Sequence, residues 1–160
     1  MDPRIAALAD ILRLNTRLFR NCLDGLIDEM ARRRPSEGTN SATFVAAHVT
    51  DSRYFLLRVL GALGKSPLAR YLEGVKGIDD ARELPPLAEV QEAWTAASHG
   101  LREALAGLSP AALDGPPAAP FPVSATMLGA LTFLVQHDSY HVGQLALLRK
   151  HAGLPAMRYT

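Results

Sequence analysis

The sequence predicts an all-α fold, most economically a four-helix bundle, on three observations. Four segments repeat their apolar residues at helical spacing, clusters of Pro, Gly and Ser separate them, and none sustains the alternation of polar and apolar residues that marks a strand. Amphipathic helices bury one another best as a bundle. With 160 residues, 48% of them hydrophobic, residues 1–160 make a natural single domain that needs neither disulfide nor structural metal to bury a core.

The first helix is expected to start with Asp2 as its N-cap and Pro3 at the first helical position. Ile5, Leu8, Leu12, Phe19, Cys22, Leu26 and Met30 then form its stripe, which stops near Arg34, before Pro35. Arg32, Arg33 and Arg34 read as a solvated helix end whose cations complement the macrodipole. The second helix follows Asn40 and Ser41, presents Val45, His48, Ser52, Phe55, Leu56, Val59 and Leu63 on one face, and ends at Gly64. The third opens around Pro85 and Pro86 and carries Leu87, Val90, Trp94, Leu101, Leu105 and Leu108, with Glu89 and Glu92 in its early turns. The fourth follows Ser124 as a cap and runs to about Ala152, before Gly153 and Pro155. Its inward stripe is Leu131, Leu134, His137, His141, Gln144, Leu145 and Leu148. Two connections are long: residues 65–84, with a short helix at 68–72, and the Pro/Ala-rich residues 109–123. Such lengths imply either a crossover between helices that are not antiparallel neighbours or a cover over a pocket.

Composition narrows the function classes. A formal charge of +1 with interspersed signs provides no electrostatic footprint for nucleic acid or an anionic membrane. No apolar run approaches the roughly 18 residues of a bilayer span, and Met1 to Arg4 lack the order of a secretory leader. The single cysteine, Cys22, excludes an intramolecular disulfide, fits a reducing compartment, and reads as inert filling of an apolar stripe. A cytoplasmic protein is expected.

The chemical signal lies in three histidines. His137 and His141 stand at i and i+4, so their Cβ atoms are roughly 5–6 Å apart on one helical face. His48 sits on the apolar stripe of another helix, ~10 Å from its start, while His141 lies ~16 Å before the end of its own, so antiparallel packing brings them to similar depths. Taken singly, each histidine reads as a core or boundary residue satisfied by an ordinary hydrogen bond. Three facing inward from two helices suggest a metal site built between them, beside the reading in which each is satisfied separately. His99 and His151 read as surface groups, and the absence of Glu-x-x-His excludes the di-iron bundle pattern.

Those residues carry a resemblance. The stretch from Ser41 to His48, the run His137-Asp138-Ser139-Tyr140-His141-Val142-Gly143-Gln144 and the ending Gly153-Leu154-Pro155 resemble the DinB/YfiT-like family of metal-dependent proteins over nearly the whole chain. The resemblance implies a four-helix bundle with a long crossover between helices 2 and 3. It also implies a divalent metal held by His48, His137 and His141, with zinc or nickel leading, and a homodimer. Three neutral imidazoles leave a fourth position open, as in catalytic zinc sites.

The leading activity that the resemblance implies is a thiol-dependent transferase, which joins a low-molecular-weight thiol to a small electrophile. The alternatives are a metal-dependent hydrolase and a noncatalytic metal-binding or dimerisation scaffold. Small Ala46, Ala47 and Ser52 are expected to leave access beside His48. Arg70, Tyr71 and Lys76 in the long connection are candidates to bind a substrate carboxylate. Asp51, Asp138, Tyr140 and Gln144 are candidates to accept the second ring N–H of a ligand histidine, with water-facing solvation the alternative for Asp138.

Overall fold

The computed structural model describes residues 2–62, 64–118 and 120–159. Those residues form seven α-helices and one 3-10 turn, with no strand among them. The elements are α1 (Pro3–Leu23), α2 (Asp28–Arg32), α3 (Ala42–Val59), α4 (Ala69–Leu72), the 3-10 turn Ile78–Asp80, α5 (Leu87–Ala106), α6 (Pro110–Asp114) and α7 (Met127–His151). The four long helices α1, α3, α5 and α7 make the bundle.

Local chemistry sets most boundaries. The Asp2 carboxylate accepts the Arg4 N–H (2.8 Å), and Pro3 opens α1. Ser41 Oγ accepts the Phe44 N–H (3.2 Å) at the start of α3, as its position before the apolar run predicts. Three boundaries differ from expectation. The first helix does not reach Arg34: Asp24 is extended and Gly25 takes φ +75°, a left-handed backbone that ends α1 before α2 begins. The second ends at Val59, with Gly61 at φ +77°; Leu63, expected on its stripe, lies outside the described residues. The fourth is capped by Thr126, whose Oγ1 accepts the Gly129 N–H (3.1 Å), rather than by Ser124. Within residues 109–123 the short helix α6 forms behind a Ser109 cap.

Around the bundle, α1 packs on α7 and α5, and α3 packs on α7 and α5, which leaves α1 and α3 on opposite corners. Named contacts give the directions. Tyr54 and Arg53 reach Ala93 and Ser98, and Leu57 lies against Gly100, so α3 and α5 run parallel. Asn15 bonds Ser139 and Arg149 bonds the Cys22 carbonyl, so α1 and α7 run parallel. Phe19 and Arg20 meet Trp94 and Thr95 near the start of α5, which makes α1 and α5 antiparallel. Two parallel neighbours cannot be joined by a tight turn, which is why residues 60–86 must cross over from the end of α3 to the start of α5.

That crossover is pinned along its length. Leu68 is fully buried, Arg32 donates to the Leu84 and Pro85 carbonyls, and Arg34 pairs with Asp79 (2.6 Å). Asp28 of α2 accepts the Leu87 N–H at the head of α5 (2.9 Å). Arg32 and Arg34 are therefore ties to the crossover and not the solvated helix end that the sequence suggests. The core has two apolar layers, one around Phe19, Val45, Trp94 and Leu145, the other around Ile5, Leu57, Leu101 and Leu131. No helix among the described residues is long and apolar enough to cross a membrane.

Candidate metal centre

The three histidines converge. His48 comes from the second turn of α3, and His137 and His141 come from successive turns of α7, the antiparallel neighbour. The Nε2 atom of His137 lies 3.3 Å from His48 Nε2 and 3.1 Å from His141 Nε2, and one nitrogen of each ring falls within 4.8 Å of the other two. Ligand bonds of about 2.0–2.1 Å at a tetrahedral angle separate two nitrogens by about 3.3 Å, which the two separations from His137 match.

Hydrogen bonding separates this arrangement from a set of ordinary core histidines. His141 donates its Nδ1–H to Gln144 Oε1 (2.7 Å), which leaves the Nε2 lone pair toward the centre. Gln144 in turn donates its amide N–H to the Tyr140 hydroxyl (3.1 Å), so it bridges the histidine and the tyrosine. His137 Nδ1 is buried with no hydrogen-bond partner, so the polar neighbours of this ring are the two other imidazoles. One N–H at His137 Nε2 could serve only one of them. Burial, then mutual repulsion, holds His137 down to about 4 from the usual 6.5. Burial likewise lowers His48, reinforced by His141, and lowers His141 against the opposing hydrogen bond to Gln144. All three rings are thus neutral bases at pH 7, the form that binds a cation.

His48 and His141 line a cavity of about 370 Å³ whose other walls include Asn40, Phe44, Asp51, Leu72, Val75 and Lys76. The crossover, through Leu72 to Gly77, forms one side of it, so the long connection is both a crossover and a cover. Phe44 lies parallel to the His48 ring at 6.5 Å, and Phe133 flanks His137 at 6.2 Å.

Several expected neighbours sit elsewhere. Ala46 and Ala47 are buried in the core and open no room at the site, while Ser52 donates to the His48 carbonyl (3.0 Å). Arg70 and Tyr71 are engaged by Glu89 (3.0 Å each) on a separate cavity, which leaves Lys76 as the member of that trio beside the histidines. Of the candidate acceptors, Gln144 serves directly and Tyr140 through Gln144; Asp51 lies on the cavity wall. Asp138 neither faces water nor meets a histidine, because Arg53 takes both its oxygens inside the bundle. His99 lies beside Glu103 on the surface (3.5 Å), and His151 is exposed.

Arg53 is the residue that sequence reasoning missed. It is one of the few charged side chains in the interior, and its only local sign is a place one turn beyond buried Val49 on α3.

Comparison with known proteins agrees with this architecture. The chain is similar to a DinB-like protein of Bacillus cereus (TM-score 0.76, 19% identity, 96% of each chain covered). It is also similar to a conserved protein of Enterococcus faecalis (TM-score 0.72, 13% identity, 94% of this chain and 96% of that one). A third similar structure is YfiT of Bacillus subtilis, described as a probable metal-dependent hydrolase with an unusual four-helix bundle topology (TM-score 0.59, 16% identity, 97% and 91% covered). No curated protein matches the sequence. The pattern of the DinB superfamily matches residues 11–145, and the chain belongs to that superfamily.

Proposed function

We infer that this chain is a divalent-metal-dependent enzyme acting on a small molecule in the cavity over His48 and His141, with transfer of a low-molecular-weight thiol to an electrophile as its leading reaction. The observation that carries this reading is the convergence of three imidazole nitrogens within 4.8 Å of one another, two of their rings being on the wall of a cavity. His48, His137 and His141 would hold a divalent ion, which would supply Lewis acidity to water or a thiol in the cavity.

The chain's own residues divide the remaining work. His48, His137 and His141 hold the ion, and Gln144 fixes the ring of His141. Phe44, Leu72 and Val75 offer apolar surface to the substrate, while Lys76 is a cation for an anionic substituent. In the transfer, sulfur forms the new S–C bond, the leaving group departs with its electron pair, and the thiol proton passes to solvent or to the Asp51 carboxylate. The thiol must come from outside the chain. Cys22 is buried, its S–H points to the Val142 carbonyl (3.8 Å), and burial pushes it up to about 11.

Hydrolysis is the second reading, favoured by the description of YfiT. The test is turnover of a monochlorobimane-like electrophile with glutathione, bacillithiol or mycothiol, beside simple esters without thiol. Thiol-dependent turnover that disappears in His137→Ala is the expected result. Ester cleavage alone supports the hydrolase, and metal binding with neither activity supports a noncatalytic scaffold.

A further inference from the structure

We propose that the buried Arg53–Asp138 ion pair is a positioning device for the metal centre, setting the register of α3 against α7 so that His48 meets His137 and His141. The proposal rests on the metal-binding reading above. Arg53 and Asp138 are each 3% exposed. Arg53 donates from Nε to Asp138 Oδ1 (2.9 Å) and from Nη2 to Asp138 Oδ2 (2.8 Å). Its other donors reach Thr16 Oγ1 (2.8 Å), Ser98 Oγ (2.6 Å) and the Leu12 carbonyl (3.3 Å), and the Trp94 ring covers the guanidinium face at 3.5 Å. Every N–H of the fork is used, and the partners come from the three long helices other than α3, which carries Arg53 itself.

Stability alone does not explain such a pair. Taking two charges out of water is costly, and well-packed apolar residues in their place commonly leave a fold as stable or more so; fixing register is the better-attested role of a buried ion pair. Apolar replacements strand no hydroxyl donor, since Thr16 and Ser98 also donate to the Leu12 and Trp94 carbonyls of their own helices (2.7 and 2.6 Å).

Placement connects the pair to the site. Asp138 is the next residue after His137, and Arg53 follows His48 by little more than one turn. The histidines take the outer side of the α3–α7 seam and the ion pair takes the inner side, so two points fix both the shift and the rotation of one helix on the other. A slip of one helical turn moves a ligand by about 5.4 Å, whereas a binding constellation tolerates about 0.5 Å. A planar two-point fork meets that requirement, because both of its hydrogen bonds lengthen or bend with a small shift of one helix on the other.

The experiment compares Co2+ and Zn2+ affinity, by chelator competition, and the Co2+ absorption spectrum in wild type, the double variant Arg53→Met/Asp138→Leu, and Arg53→Lys. Arg53→Lys keeps the charge and loses the fork. The double variant is expected to retain wild-type helicity and an equal or higher unfolding midpoint in the absence of metal. Its metal affinity is expected to fall about 10- to 100-fold, the range typical of residues that orient ligands, with an altered Co2+ spectrum and Arg53→Lys in between. Unchanged affinity and spectrum in either folded variant would overturn the proposal while leaving the metal site standing. Loss of fold in both variants would also overturn it, because the pair would then hold the bundle together and not its register. Failure of wild type to bind either ion would sink the metal reading and this proposal with it.

Discussion

At His137 the chain carries a half-buried base whose Nδ1 has no hydrogen-bond partner, and this makes stability depend on pH in a definite direction. The ring is held at about 4 when folded and returns to the usual 6.5 when unfolded. Between those values the unfolded chain binds more protons, so the contribution of this group is fully present above 6.5 and is lost as pH falls toward 4. Metal-free protein is therefore expected to show a denaturant midpoint that drops from about pH 7 to pH 5, with a shallower dependence in His137→Phe. Identical slopes in the two proteins would contradict the neutral buried state. The same scale shows what can be read locally. The histidine trio is legible because each member interrupts an apolar stripe. Arg53 is not, because a lone charged residue defaults to the surface and its partner stands 85 positions away. Arg149 is hidden for the same reason: it is buried and bonds the Pro155 carbonyl (2.7 Å) and the carbonyls of Cys22 and Asp24.

Among the elements, the four long helices follow from periodicity, and their ends follow only where one residue decides. Pro3, Ser41 and Pro86 mark starts in the sequence as they do in the structure. Gly25 escapes notice because the apolar stripe continues past it through Leu26 to Met30, although its backbone has already turned left-handed. Ser124 and Thr126 are equally plausible caps by chemistry; Thr126 takes the role, and the Ser124 hydroxyl bonds Thr126 Oγ1 instead (2.9 Å). Ser124 lies against Gly129, where an added Cβ would fall 2.9 Å from the Ser124 backbone nitrogen. Gly129→Ala is thus expected to destabilise by about 1–3 kcal/mol in equilibrium unfolding. In Gly143→Ala the new Cβ meets nothing within 4 Å, and relief of the helical glycine is expected to stabilise by about 0.5–1 kcal/mol. The reverse order of the two variants would contradict the packing of the 124–129 segment.

For the whole molecule, the length of residues 65–84 signals a crossover, but the order of helices around the bundle has no signature in local spacing. That order depends on contacts such as Leu57 with Gly100 and Asn15 with Ser139, which pair distant parts of the chain. The consequence for function is that α3 and α7, far apart in sequence, become antiparallel neighbours and bring one histidine to face two. Everything proposed about activity depends on an ion at that meeting point. The direct measurement is elemental analysis of protein purified without an affinity tag, with His48→Ala, His137→Ala and His141→Ala handled in parallel and each checked for helicity. The expected result is about one divalent ion per wild-type chain and almost none in each folded variant; equal metal content in all four proteins would contradict the site.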